Sequence, residues 1–278
     1  VVTRFAPSPT GWLHLGHAYA ALFAAEEAKK AEGRFLLRLE DIDLTRVRPE
    51  YEQGIYDDLH GLGLAWEQPV MKQSQRFDAY RAALQKLEAM GLLYPCFCTR
   101  REIQEEIARA GHAPHGPEGP IYPGTCRRLS AEEVAARMTE HRDYALRLNL
   151  EKALETAGHK LVWEDLDLGS FVADPTPLGD VVLARKDTPA SYHLAVVVDD
   201  AEQEVTLVTR GEDLLPATHL HRVLQEIFDL PVPLWKHHRL ITDDTGKRLA
   251  KRDDARSLRA LREQGWTPER VRSELGFR

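Results

Sequence analysis

Over residues 1–93, short apolar runs alternate with stretches in which apolar positions return every three to four residues, the pattern of strands interleaved with amphipathic helices. VVTRFA predicts a first strand, residues 7–11 a turn, and residues 15–31 a helix that gathers Leu15, Tyr19, Leu22 and Phe23 on one face. A second strand is expected over 35–39, after Gly33. Residues 49–62 predict a helix that opens on a proline, whose fixed φ suits a first turn, and closes near Gly61 and Gly63. A further helix over 75–90 stops at Gly91.

Past Leu93 the rhythm breaks. Residues 111–124 hold eight glycines or prolines in fourteen positions, too many for a regular element, and predict a long loop near the cysteines. The rhythm returns with valine-rich runs at 193–198 and 205–209, both read as strands, and a helix over 216–228; beyond Trp235 the chain reads as loop and then helix. The expected fold is α/β. Residues 1–93 and 187–234 would be the halves of one domain, 94–186 an insertion and 235–278 a C-terminal segment.

Composition narrows the class. With 278 residues, 43% hydrophobic and 29% charged, the chain can bury a sizeable core and is not disordered. The longest apolar run, residues 18–25, stops at Glu26, far short of the roughly 18 apolar residues of a membrane helix, so no membrane partner is expected. VVTRFAPSPT carries Arg4, Pro7 and Pro9 where an export signal would be apolar, which makes the cytoplasm the expected compartment. The net charge of −7 argues against nucleic acid until its distribution is considered. Residues 235–278 carry 12 Lys or Arg against 7 Asp or Glu, so a basic end could meet an RNA backbone.

Candidate chemistry lies in separate strings. TGWLHLGHA, residues 10–18, sits where a strand hands over to a helix; Gly16 lets a flat ring approach the backbone, and His14 and His17 share one face at the positive helix end, which suits phosphates. Alone, a tight turn with two exposed histidines explains it as well. DDTGKRLAKRDD, residues 243–254, sets Lys247, Arg248, Lys251 and Arg252 around Gly246 and could follow a migrating negative charge, or be a solvated basic turn. Arg4, Arg210 and Glu40 at strand ends suit a substrate with two carboxylates and one ammonium, and Tyr192 adds a hydroxyl. Asp199 and Asp200 read as a turn and cap. Cys96, Cys98 and Cys126 offer three thiolates for a tetrahedral metal; Tyr122, His112 and His115 are within loop reach as a fourth ligand, and free thiols are the alternative.

The two cationic strings together resemble the HIGH and KMSKS signatures of class I aminoacyl-tRNA synthetases, with Lys251 matching the last lysine and Ala250 replacing the usual serine. RFAPSPTG (4–11), RLEDID (38–43), SYHLAVVVDD (191–200) and VTRGEDLL (208–215) narrow the resemblance to the glutamate-specific branch. It implies a Rossmann-type parallel sheet with an inserted zinc-binding subdomain and a short C-terminal helical segment. It further implies ATP, with Mg²⁺, at His14, Gly16, His17 and Lys251, of which the two histidines and the lysine would be catalytic. L-Glutamate would contact Arg4, Phe5, Ala6, Pro7, Ser8, Glu40, Tyr192 and Arg210, and structural Zn²⁺ would sit on Cys96, Cys98, Tyr122 and Cys126.

Only 27 residues follow Lys251, and Val196 stands where the tRNA-charging enzymes have asparagine. Both features resemble the short glutamyl-queuosine tRNA(Asp) synthetases, which would make queuosine-containing tRNA(Asp) the partner of a monomeric enzyme. The competing expectations are a catalytic fragment that charges tRNA(Glu) and a tRNA-binding paralogue without activity.

Overall fold

The computed structural model describes residues 1–103, 115–116, 119–140, 143–158, 160–185, 188–241 and 257–277. The first half runs β1 (Val2–Phe5), α1 (Leu15–Lys30), β2 (Arg34–Leu39), α2 (Pro49–Gly61), β3 (Glu67–Lys72) and α3 (Phe77–Ala89). β1 pairs parallel with β2 from Val2 opposite Arg34, and β2 pairs parallel with β3. Every residue of β1 is buried, as a parallel strand covered on both faces requires. α1 lies on this sheet through small residues, Ala18, Ala21, Ala24 and Ala28, which allow close approach.

The middle of the chain contributes β4 (Leu93–Cys96), the two-residue strands β5 (His115–Gly116) and β6 (Gly119–Pro120), α4 (Ala131–Thr139), β7 (Ala145–Leu148), α5 (Leu150–Ala157), β8 (Val162–Asp165), β9 (Gly169–Val172) and β10 (Val182–Arg185). β5 and β6 form a short antiparallel ladder within the stretch expected to be loop throughout. β4, β7 and β10 make a separate antiparallel sheet.

α6 (Tyr192–Glu202), β11 (Leu207–Gly211), α7 (Leu215–Phe228), β12 (Leu234–His238), α8 (Leu258–Glu263) and α9 (Pro268–Glu274) complete the chain. β11 and β12 are parallel, β8 joins β12 at the Trp235–Asp165 pair, and β9 folds back on β8. The hairpin β8–β9 therefore extends the sheet of β11 and β12, although it lies inside the stretch read as an insertion. β1 lies beside β11: the Thr206 amide donates to the Val2 carbonyl at 3.0 Å, and Arg4 Nη1 donates to the Thr209 carbonyl at 3.1 Å. Successive strands leave this junction in opposite directions, toward β2 and β3 on one side and β12 and β8 on the other. Crevices open at such a junction in α/β sheets.

Two expectations are corrected here. Residues 193–198 are helical, in α6, and not a strand. A valine costs a helix roughly 0.5 kcal/mol against alanine, whereas burying its side chain contributes about 1.5 kcal/mol or more. Val196 and Val197 are both buried in the core formed with α3, α5 and α7, and Ser191 caps the helix by accepting from the Leu194 amide. The stretch from Trp235 opens as strand β12, not loop, because Trp235 is buried against Trp163 and β12 lies between β11 and β8. The C-terminal helices, as expected, follow. They pack on α2, where Arg262 pairs with the buried Asp58 at 2.9 Å, and the Leu258 amide donates to the Leu13 carbonyl at 2.7 Å.

Candidate active site

Four elements converge at the junction of β1 and β11. Arg4 projects from β1, Glu40 follows β2, Tyr192 opens α6 and Arg210 lies on β11. With Phe5, Ala6, His14, Gly16 and His17 they line a cavity of about 210 Å³. Glu40 and Tyr192 also line a second cavity of about 300 Å³, together with Ser8, Asp43, Arg46 and Arg185. These two side chains thus form a wall common to both spaces. Ser8 belongs to the second cavity, and Pro7 lines neither; its carbonyl accepts the Glu40 amide at 3.0 Å and so fixes the turn. Val196 is 1% exposed in the core and lines neither cavity, so its replacement of a polar residue makes no contact there. Lys251 and the rest of residues 243–254 lie outside the described residues.

The two arginines are in opposite electrostatic situations. Asp200 of α6 holds Arg4 through two hydrogen bonds, from Nε at 2.9 Å and Nη2 at 3.1 Å, and also accepts Arg38 Nη1 at 2.8 Å. Its neighbour Asp199 accepts Gln73, Arg76 and Tyr80 at 2.7–2.8 Å. The Asp pair is therefore a buried helical anchor, not the turn and cap read from sequence. Burial raises the Asp200 pKa, but Arg4 and Arg38 together outweigh it and hold the carboxyl below its ordinary range.

Arg210, 6% exposed, has no carboxylate partner among the described residues. Nε donates to His237 Nε2 at 3.3 Å, Nη1 to the Tyr192 hydroxyl at 3.2 Å and to His221 Nδ1 at 3.1 Å, and Nη2 to the Thr218 hydroxyl. Every one of these acceptors is neutral when the imidazoles are unprotonated. A buried cation so arranged favours an anion brought in from outside.

Glu40 stands 3.8 Å from Arg38. Burial pushes its carboxyl up, against the pull of Arg38 and Arg4, to about 7. His14 is the N-cap of α1: its Nδ1 accepts the Gly16 amide at 3.1 Å, while His17 Nδ1 accepts the His14 amide at 3.2 Å. With both Nδ1 atoms accepting, each neutral ring carries its proton on Nε2. The rings lie 3.8 Å apart at the positive end of the helix. A Cβ on Gly16 would lie 3.0 Å from the His14 ring, so a larger residue would press on the histidine that forms this cap.

Away from the cavities, the thiols of Cys96, Cys98 and Cys126 lie within 4.8 Å of one another, and the Tyr122 hydroxyl is 3.4 Å from Cys96 Sγ and 3.6 Å from Cys98 Sγ. Thiolates about 2.3 Å from a tetrahedral ion are about 3.8 Å apart. The cluster fits that spacing, and the Tyr122 hydroxyl, which accepts the Cys126 amide at 2.8 Å, lies beside it. His112 is outside the described residues, as is the His115 side chain.

Sequence reasoning missed Arg38, Asp165, His221 and His237 and misread Asp199 and Asp200. Arg38 stands inside the RLEDID string and the Asp pair inside SYHLAVVVDD, which was the available signal.

The model of the class I tRNA synthetase (E and Q) catalytic domain matches residues 1–278. The chain is 47% identical to the glutamyl-Q tRNA(Asp) synthetase of Rhodobacter capsulatus over the whole of both chains. It is 40% identical to a glutamate–tRNA ligase of Aquifex aeolicus, over 97% of this chain and 55% of that one. Among solved structures, a glutamate-tRNA synthetase from Elizabethkingia anophelis superposes with a TM-score of 0.75 at 31% identity, covering 92% of this chain and 53% of the other. The chain belongs to the class I tRNA synthetases of the glutamate and glutamine type, within their glutamyl-Q tRNA(Asp) synthetase group.

Proposed function

We propose that the protein activates L-glutamate with ATP and transfers it to the queuosine base in the anticodon of tRNA(Asp). The observation that carries the first step is Arg210, a buried cation facing the cavity with neutral partners only among the described residues. It selects a side-chain carboxylate. Arg4, already neutralised by Asp200, retains N–H capacity for the α-carboxylate, and Glu40 faces the ammonium.

An oxygen of the α-carboxylate attacks the α-phosphorus of ATP. The bond from that phosphorus to the bridging oxygen breaks, and pyrophosphate leaves with the electron pair. No protein nucleophile takes part. The Nε2–H groups of His14 and His17 would donate to phosphate oxygens as charge builds, and Lys251 is the further cation expected there. Mg²⁺ arriving with ATP supplies additional charge neutralisation.

In the second step a hydroxyl of the queuosine ring attacks the adenylate carbonyl carbon; the bond from that carbon to the phosphate oxygen breaks, AMP departs with the electron pair, and the hydroxyl proton passes to a phosphate oxygen. The second cavity, separated by Glu40 and Tyr192 from the first, is the route for that base. Cys96, Cys98, Cys126 and Tyr122 would hold a structural Zn²⁺ that fixes β4 to the glycine-rich segment.

ATP–pyrophosphate exchange tests the first step. Exchange is expected with glutamate and not with glutamine or aspartate. Equal exchange with glutamine would remove Arg210 as a charge selector, and no exchange with any amino acid would favour a non-catalytic paralogue.

A further inference from the structure

The partners of Arg210 are themselves held by other groups, and the hydrogen-bond directions along these chains are determined. An arginine can only donate, so His237 Nε2 and His221 Nδ1 must both present lone pairs to it. His237 then carries its proton on Nδ1, which lies 2.8 Å from a carboxylate oxygen of the buried Asp165; the same oxygen accepts the His237 amide at 2.9 Å. Thr218 accepts from Arg210 Nη2, and its hydroxyl lies 3.2 Å from His237 Nε2, whose single lone pair faces Arg210 Nε. On the other side His221 carries its proton on Nε2, 3.1 Å from His193 Nδ1, which accepts it.

We propose that Asp165–His237 and His193–His221 are two positioning relays that fix the Arg210 guanidinium for the substrate carboxylate by presenting it with obligate neutral acceptors. The inference rests on the reading of Arg210 as the carboxylate-binding group. Asp165 acts from the β8 hairpin without touching the cavity, and His193 and His221 act from α6 and α7. Four of the five Arg210 N–H hydrogens are engaged by these groups and Tyr192, which leaves rotation of the fork little freedom. Burial and the adjacent guanidinium hold both imidazoles in the neutral form the relays need: His237 is pushed down to about 4, and His221 well below its ordinary value. The Asp165 carboxylate pulls His237 the other way but does not prevail, so its role is to select the tautomer.

The unaltered, ¹⁵N-labelled chain gives the direct test. At neutral pH, nitrogen NMR should find His237 as the Nδ1–H tautomer and His221 as the Nε2–H tautomer; the opposite tautomer or a protonated ring at either position overturns the proposal. In exchange kinetics, H221L and H237L should raise the KM for glutamate about 10-fold, with kcat within about 3-fold, since a buried donor loses its acceptor. H221N retains an acceptor where Nδ1 stood, H237Q where Nε2 stood, and both should recover most of the loss. Wild-type KM in both leucine variants would overturn the relay, as would Asn and Gln variants no better than leucine. R210A separates the two readings. If R210A itself leaves the KM unchanged, the reading of Arg210 fails; if R210A impairs binding while the histidine variants are silent, only the relay fails.

Discussion

Asp200 grips Arg4 through both carboxylate oxygens, at 2.9 and 3.1 Å, and in doing so ties α6 to β1 across nearly two hundred residues of sequence. The same carboxylate accepts Arg38 Nη1 at 2.8 Å; Arg38 is fully buried and has Glu40 3.8 Å away as a further carboxylate. Asp200→Asn would remove the carboxylate that both buried guanidinium groups share and leave Arg4 with no ion-pair partner among the described residues. The expected loss is about 3–5 kcal/mol of folding stability, the usual result of breaking one side of a buried ion pair. Urea unfolding measures it; a loss under about 1 kcal/mol would mean that the pair is replaceable by solvent.

This contact also shows where the sequence could be read and where it could not. β1, α1, β2, α2 and α3 were legible because their signals are local: periodicity, an opening proline, closing glycines. The valine run of α6 was misread because its helical form depends on burial against α3, α5 and α7, which no neighbouring residue announces. Likewise Asp199 and Asp200 find their partners 119–196 residues away. Arg4, Glu40, Tyr192 and Arg210 were found through residue type and family strings, but the opposite charge states of the two arginines emerge only in three dimensions.

Glu40 sets a pH dependence. Its carboxyl is raised by burial to about 7, so in the free enzyme it gains the charge that holds the substrate ammonium as pH rises through that value. The kcat/KM for glutamate in exchange should therefore climb over about two pH units centred near 7 and then level off. Glu40→Gln should lower kcat/KM by about 10-fold or more and abolish this limb. A limb that persists unchanged in the variant would assign it to another group.

The thiol cluster predicts about one zinc per chain in protein purified without chelators. Inductively coupled plasma analysis is sufficient to check this. Cys98→Ser should lower both zinc content and the thermal midpoint, because three ligands hold the metal less well and the segment has a small core of its own. Zinc-free protein of normal stability would make these residues buried thiols.

Lys251, within the KMSKS-like string, is expected to stabilise the departing pyrophosphate. Replacing it with alanine should slow adenylate formation by about 10-fold or more with little change in the KM for glutamate, since one transition-state charge contact is lost. An unchanged exchange rate would remove it from the mechanism.

The central claim is that activated glutamate goes to a queuosine hydroxyl and not to the terminal ribose of a tRNA. Labelled glutamate and ATP should be incubated with three acceptors: queuosine-containing tRNA(Asp), the same tRNA unmodified, and tRNA(Glu). Label on the modified tRNA(Asp) alone, recovered in the anticodon fragment after nuclease digestion, is the predicted result; label on tRNA(Glu) at its 3′ end, with none on tRNA(Asp), would contradict it.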